Sequence, residues 1–508
     1  MLTEALLVIA TLCAAAYLWM REKFKYFEKL GVEYPEPNLF GGNMKDVFTK
    51  KQHFFDSAES LYKFGKSSII GIFEGTAPIY MVKSPEVARQ IFIKNFNHFV
   101  NHRRFFDDGG LFDHSLIQME NDKWKDMRST LSPAFTGNKM RGMFELIREI
   151  AQQAAQYLKE NDLGKDVKLK DFFSRFANDV IATTAFGFKM NSLQDRNNEF
   201  FKVGQVVTVF ENSTMDIIKF MMLSMFNKLA RLLRITVISK EHTEYFRKLV
   251  LGAMKHRSEK KIFRPDMINM LMEVRGIGVQ GNEELKSHFN WTDDEIVAQC
   301  FIFFLAGFET VSNTLCFMCH ELMENPEVQE RLKQEVNDLH ESLENKPLTY
   351  EALNDMKYAE AVILETLRKW PQLPFLDRKC SKAIDLEDPE TGNIIKLKEG
   401  DLIQISALGI QRDPKYFPEP MKFDPERFSD ENKKNISPNT FFPFGIGPRM
   451  CIGNRFAMLE IKALLFYMMK DVSFKRSEKS TIPMVLDPGT GQLEPKGGIY
   501  VKVVGDDL

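Results

Sequence analysis

Phe444-Gly-Ile-Gly-Pro-Arg-Met-Cys-Ile-Gly453 is the stretch that decides the reading of this chain. One cysteine, Cys451, stands in a loop rich in glycine and proline, and an apolar helical pattern follows from Arg455 to Met469. Such a loop suits a thiolate that must lie close to a bound metal centre. Small neighbours at Gly447 and Gly453 let a large flat group approach. Backbone N–H groups at the start of the following helix can point at the sulfur and stabilise its negative charge. Arg449 can reach an anionic edge of such a group, and Phe444 can shield the sulfur from water. An inert buried cysteine in a turn is the plain alternative, and the residues of this stretch taken alone leave it open.

Three further segments extend the pattern upstream. Asp293 to Asn325 is apolar nearly all round, which predicts one long buried helix. On it lies Ala306-Gly-Phe-Glu-Thr310. Small residues at Ala306 and Gly307 leave room for a small ligand. The Thr310 hydroxyl can bond the carbonyl of Ala306 and bend the helix. Thr310 and Glu309 then offer a proton route. Taken alone, the small residues serve helix packing equally well. Glu365-Thr-Leu-Arg368 sets opposite charges three apart on one helical face, and Pro425-Glu-Arg-Phe428 supplies Arg427. Trp124-Lys-Asp-Met-Arg128 sets an indole and a guanidinium one turn apart.

Together these segments resemble the cytochrome P450 superfamily, whose FxxGxRxCxG pattern is matched at every defined position. The resemblance implies a fold that is mainly α with a minor β part, a single haem-binding domain behind an N-terminal transmembrane helix. It implies haem b, with Cys451 as axial ligand of the iron. Trp124, Arg128 and Arg449 would hold its propionates, with Arg378 and Arg103 as further contacts. Ala306, Gly307, Glu309 and Thr310 would form the oxygen-activating segment. Glu365, Arg368 and Arg427 would form a buried supporting network with no catalytic role. The implied reaction inserts one atom of dioxygen into a lipophilic substrate. NADPH would act only indirectly, because no GxGxxG fingerprint in a βαβ unit is present. The implied electron donor is NADPH–cytochrome P450 reductase, with cytochrome b5 as a second candidate. The AGFET, RKWPQLP and PFGIGPRMCIGNRFA segments are most similar to insect microsomal enzymes, the ninth insect family in particular. That implies oxidation of xenobiotics such as plant toxins or insecticides. An endogenous lipid, hormone or pheromone is the alternative substrate, and a non-catalytic haem-binding protein is the alternative function.

The remaining chain is consistent with this. Residues 2 to 20 are almost wholly apolar and span about 28 Å as a helix, close to a bilayer's hydrocarbon thickness. Arg21, Lys23, Lys25 and Lys29 follow, which favours a cytoplasmic domain. The expected division is an anchor over 1–20, a basic and proline-containing hinge over 21–43, and the haem-thiolate domain over 44–508, on the cytoplasmic side of the endoplasmic reticulum membrane. A formal net charge of −2 gives no reason to expect nucleic acid. Six scattered cysteines do not make a disulfide framework. Short strands are expected within 67–82 and 394–408, a loop over 264–290, and hairpins from 471 on. Candidate pocket residues are Phe105, Phe106, Phe112, Phe304, Leu373, Phe375 and Leu493, all apolar. Ile217 to Arg234 mixes Phe and Met with Lys and Arg, as in an interfacial helix. Lys123, Lys125, Lys433, Lys434 and Lys462 are candidates for a reductase-docking face. Cys316-Phe-Met-Cys-His320 is a CxxCH, the signal for covalent haem attachment, but it lies inside the long apolar pattern.

Overall fold

The computed structural model describes residues 2–104, 109–208, 219, 222, 227–233, 235–264, 266–277, 289–344 and 346–505. Half of the 217–234 stretch lies outside them.

The first helix, α1 (Leu2–Phe24), leaves its apolar residues exposed and buries only Phe24. A short helix, Tyr26–Leu30, follows. Phe24 and Phe27 each pack 5.1 Å from the ring of Phe73, and Phe27 packs 5.2 Å from Tyr80. Phe24, Phe27 and Val32 thus belong to the buried cluster around Phe73 and Tyr80.

The helical body comprises α2 (Asn121–Leu131), α3 (Gly137–Asn161), α4 (Leu169–Ile181), α5 (Lys240–Lys260), α6 (Asp293–Glu324), α7 (Pro326–Ser342), α8 (Lys357–Lys369) and α9 (Asn454–Met469). The spine is α6, packed against α4, α5, α8 and α9. It starts on a reciprocal cap. The Thr292 hydroxyl accepts from the Glu295 N–H at 3.2 Å, and the Glu295 carboxylate accepts from the Thr292 N–H at 2.9 Å. Although α6 is long and apolar enough to cross a bilayer, 61% of its apolar window is buried inside the protein, as a core helix should be. The α1 window has none of its length buried, which leaves that helix as the candidate anchor.

Among the described residues, nine strands form three sheets. β1 (Ile69–Glu74), β2 (Ala77–Val82), β7 (Leu402–Ser406) and β4 (Phe375–Lys379) are hydrogen-bonded in the order β1-β2-β7-β4. The β2–β7 pair is parallel, with Ile79 opposite Leu402, and its neighbours are antiparallel. β5 (Ile384–Glu387) and β6 (Ile394–Leu397) make a hairpin. β3 (Asp166–Lys168), β9 (Tyr500–Gly505) and β8 (Val472–Lys475) make the third sheet, in the order β3-β9-β8. The tail is thus tied to a strand more than 300 residues earlier in sequence, and is more than local hairpins.

The expected loop over 264–290 contains a helix, Met267–Val274. Its N-cap is Asp266, whose carboxylate accepts from the Asn269 N–H at 3.0 Å and pairs with buried Arg257 at 2.6 Å. The apolar run after Asp266 outweighs the polar, glycine-containing composition around it.

Candidate active site

Cys451 sits just before α9. Its N–H donates to the Phe444 carbonyl at 2.8 Å, which closes the loop. The Gly453 N–H points back at the sulfur. Cys451 is accessible. Burial raises its thiol pKa, while the Gly453 N–H and the charge of Arg128 oppose that rise. The two glycines serve different ends. Gly447 has φ 73°, and a Cβ there would stand 2.2 Å from the Phe92 carbonyl oxygen. At Gly453 the nearest atom to an added Cβ is a ring carbon of Phe135 at 4.0 Å.

Three guanidiniums gather on one side of this loop. Arg449 donates to the carbonyls of Val100 (2.9 Å), Leu116 (3.3 Å) and Met119 (2.8 Å), and lies 3.9 Å over the Trp124 ring. One turn beyond Trp124 on α2, Arg128 donates to the Met450 carbonyl at 2.8 Å. Arg378, on β4, lies 4.2 Å over the Phe92 ring and donates to the Asp377 carbonyl at 2.7 Å. Burial and the neighbouring Arg378 push the Arg449 guanidinium down to about 9, and burial pushes Arg378 down to about 10. The Nε of Arg378 is buried without a hydrogen-bond partner. Crowded cations with an orphaned donor suit an anionic group placed between them. An accessible cysteine sulfur lies beside them. These residues fit haem, with Cys451 on the iron and its propionates among Arg128, Arg378 and Arg449.

His102 was not anticipated. Its ring lies 3.1 Å from an Asp377 carboxylate oxygen and 3.2 Å from Arg378 Nη1. Burial lowers its pKa, so it is neutral at neutral pH. Arg103, the expected contact beside it, turns its guanidinium to Glu74 and gives its N–H to Asp377 at 2.6 Å. The glutamate on β1 out-competes the cluster for that cation. Nothing in the HisArgArg sequence marks which side chain turns inward.

On α6, Ala306 and Thr310 are exposed in the middle of an otherwise buried helix, and Ile302 and Phe303 beside them are half-buried. Helical spacing puts these four on one face. Phe303 stacks on Phe135 at 5.6 Å, and Phe135 in turn adjoins Gly453, so this face borders the Cys451 loop. Thr310 donates to the Ala306 carbonyl at 2.6 Å, as expected. Gly307 does otherwise. A Cβ there would meet Ile181 of α4 at 2.4 Å, so this glycine admits a neighbouring helix. Glu309 pairs with Lys170 of α4 at 2.6 Å and accepts from Asn313 at 3.1 Å, away from the Thr310 face.

The supporting network is present and deeply buried. Arg368 donates two hydrogen bonds to Glu365, at 2.7 and 2.8 Å, and both side chains are wholly buried. Arg427 lies at ion-pair distance from Glu365, 3.5 Å, and the Asp424 N–H donates to the same carboxylate at 2.9 Å.

The structure places the expected pocket residues in different surroundings. Phe304 is buried among Phe186, Phe200, Phe246 and Phe308, because one helical step turns it off the face that Phe303 occupies. Phe375 packs on Phe54 at 5.6 Å, and Leu493 is buried in the main core. Phe112 is half-buried between that core and Ala230. Leu373 remains accessible, at 61%. Phe105 and Phe106 lie outside the described residues. Of the docking lysines, Lys462 is buried against Glu360 at 2.7 Å and is no surface contact. Lys123 pairs with Glu295, Lys125 with Asp122 and Lys433 with Asp430, while Lys434 stays exposed. Cys316, Cys319 and His320 are buried in α6, and burial pushes the Cys316 thiol up to about 12. Among the described residues no group of three His, Cys, Asp or Glu is placed to hold a metal ion.

Comparison with known proteins agrees with this geometry. The cytochrome P450 family model matches residues 32–503. The chain is 46% identical to "Probable cytochrome P450 9f2" of Drosophila melanogaster, over 99% of each chain. It is 39% identical to "Cytochrome P450 9c1" of the same organism, over 98% of each. It is 37% identical to "Cytochrome P450 9e2" of Blattella germanica, over 97% of this chain and 96% of that protein.

Proposed function

The chain belongs to the cytochrome P450 family, and from that membership we propose a membrane-anchored haem-thiolate monooxygenase that oxidises lipophilic foreign compounds at the cytoplasmic face of the endoplasmic reticulum. Cys451 would ligate the haem iron. Arg128, Arg378 and Arg449 take the propionates, with Trp124 stacked under Arg449 and His102 orienting Asp377 beside them. The Gly453 N–H directed at the sulfur tempers the thiolate's charge. When bound, haem would supply dioxygen activation, and the Cys451 thiolate would donate electron density to it. The chain's own contribution is positioning and proton handling. Thr310 donates a hydrogen bond to the Ala306 carbonyl, so the lone pairs of its oxygen are left on the accessible face as acceptors. It can order water there and relay a proton. Glu309, held by Lys170, is the nearest acid on the same helix.

Electrons come from NADPH through a separate flavin reductase, with cytochrome b5 as an auxiliary donor. The exposed apolar helix α1 followed by basic residues supports the membrane placement. The accessible face of α6 is formed by Ile302, Phe303 and Ala306, which favours apolar substrates. Likeness to insect ninth-family proteins supports foreign compounds as the substrate class.

One observation carries the proposal: an accessible cysteine lies beside a cluster of three guanidiniums, Arg378 buried and Arg128 and Arg449 half-buried, and borders the exposed mid-helix face of α6. The test is reconstitution with reductase, NADPH and a panel of lipophilic probes under isotopically labelled dioxygen. One labelled oxygen atom in the product, dependent on NADPH, is expected. Turnover without NADPH, or products lacking the label, would contradict it.

A further inference from the structure

The turn that follows helix Phe54–Tyr62 closes one side of a cleft of about 350 Å³. Its other walls are the entry to β1, the residues after β2 and the turn 409–416. Five cations and three carboxylates line it, and the carboxylates are already engaged. Glu59 takes Lys63 at 2.7 Å and Arg412 at 3.1 Å. Glu390 takes Lys415 at 3.7 Å, and Asp413 accepts from the Tyr62 hydroxyl at 2.7 Å. Two cations are left over. Lys66 and Lys83 make no ion pair among the described residues. The half-buried ammonium of Lys83 donates only to the carbonyls of Phe64 (2.6 Å) and Gly65 (3.1 Å).

A buried donor lies between them. Ser68 is 3% exposed, lines the cleft, and its Oγ has no hydrogen-bond partner. Its carbonyl accepts from the Lys83 N–H at 2.8 Å, which ties the two residues together. The nearest further carboxylates, Glu33 and Asp388, make their hydrogen bonds to the backbone, and together with Asp413 they attract the Lys83 ammonium without forming an ion pair with it. Asp388 takes the Ser68 N–H at 3.0 Å, and Glu33 takes the N–H groups of Lys66 (3.2 Å) and Ser67 (2.9 Å). The Glu33 bonds also fix the position of the cleft. They pin its rim to the segment nine residues beyond the end of α1, where the chain leaves the apolar helix.

A group with several acceptor oxygens and a net negative charge would satisfy both ammoniums and the orphaned hydroxyl at once. Next to a membrane anchor, that chemistry is found in lipid headgroups. We propose that this cleft binds the phosphate of an anionic phospholipid headgroup, with Lys66 and Lys83 as its cationic contacts and Ser68 as its hydroxyl donor.

The test is calorimetric titration of the detergent-solubilised full chain with short-chain phosphatidylglycerol, short-chain phosphatidylcholine and inorganic phosphate. Saturable binding of phosphatidylglycerol is expected. Lys66→Gln and Lys83→Gln should each weaken it roughly fivefold, the worth of one lysine near an anionic surface. Ser68→Ala should weaken it too, and Lys83→Arg should retain it. Equal binding of phosphatidylcholine, or equal binding of inorganic phosphate, would overturn the anionic lipid as occupant. Absence of saturable binding would overturn the site. So would wild-type affinity in the Lys66→Gln variant, whose exposed side chain makes its folding secure.

Discussion

Glu309 of α6 and Lys170 of α4 are joined at 2.6 Å across a helix interface, and this pairing separates Glu309 from the accessible face that Thr310 occupies. The alcohol, and not the acid, is thus the group on that accessible face. Thr310→Ala should lower product formed per NADPH on the order of tenfold, below the usual range for a positioned proton donor because water can substitute in part. Glu309→Gln should lower it less. Lys170→Met should cost about 1–2 kcal/mol of stability by leaving a half-buried carboxylate unpaired. The product-to-NADPH ratio and the thermal midpoint of each variant check this. A larger loss in Glu309→Gln than in Thr310→Ala would contradict the arrangement.

The two glycines flanking Cys451 should respond oppositely to a methyl group. Gly447→Ala combines a left-handed φ of 73° with a Cβ placed 2.2 Å from a backbone oxygen, and the loop cannot hold its shape around that. Haem content should fall to a small fraction of wild type. Gly453→Ala meets nothing closer than 4.0 Å, and haem should be retained. Haem per polypeptide in the two purified variants is the measurement.

Glu365 and Arg368 are both wholly buried and doubly hydrogen-bonded. Removing one orphans a charge, which costs about 3–5 kcal/mol. Arg368→Ala should accordingly leave little folded protein. Arg368→Lys should not restore it, because an ammonium cannot replace the two-pronged contact with Glu365 and the bonds to the Gln411 and Pro420 carbonyls. Denaturant midpoints and soluble yield test both.

Asp377 supplies a pH dependence with a definite sign. Burial pushes its carboxyl up, but His102, the Arg103 N–H and Arg378 more than offset that and hold it at about 2. The folded pKa lies below the unfolded one, so the stabilisation is complete above about 4 and drains away as pH falls toward 2. It amounts to about 2 kcal/mol. Between pH 5 and pH 3 the wild type should lose more stability than Asp377→Asn. Parallel losses would mean that the carboxylate is not held by this cluster.

What could be read from sequence was mostly what is local. The Cys451 loop, the Thr310-to-Ala306 bond, the Glu365–Arg368 pair and the α2 placement of Trp124 and Arg128 all follow from spacings within one or two turns. What escaped depends on partners distant in the chain. Glu74, 29 positions before Arg103, captures that guanidinium and leaves His102 facing Arg378. Lys170 redirects Glu309 in the same way. Whether Phe303 or Phe304 faces the site is a matter of a single helical step, which an all-apolar helix does not reveal. The pairing of β3 with β9 brings together residues that share no pattern in the sequence.

The central claim is that the sulfur of Cys451 is the ligand of a haem iron. The direct measurement is the carbon monoxide difference spectrum of the reduced protein, wild type beside Cys451→Ala. A strongly red-shifted Soret band is expected in the wild type and none in the variant. A porphyrin-free wild type, or the same band in both proteins, would contradict the account.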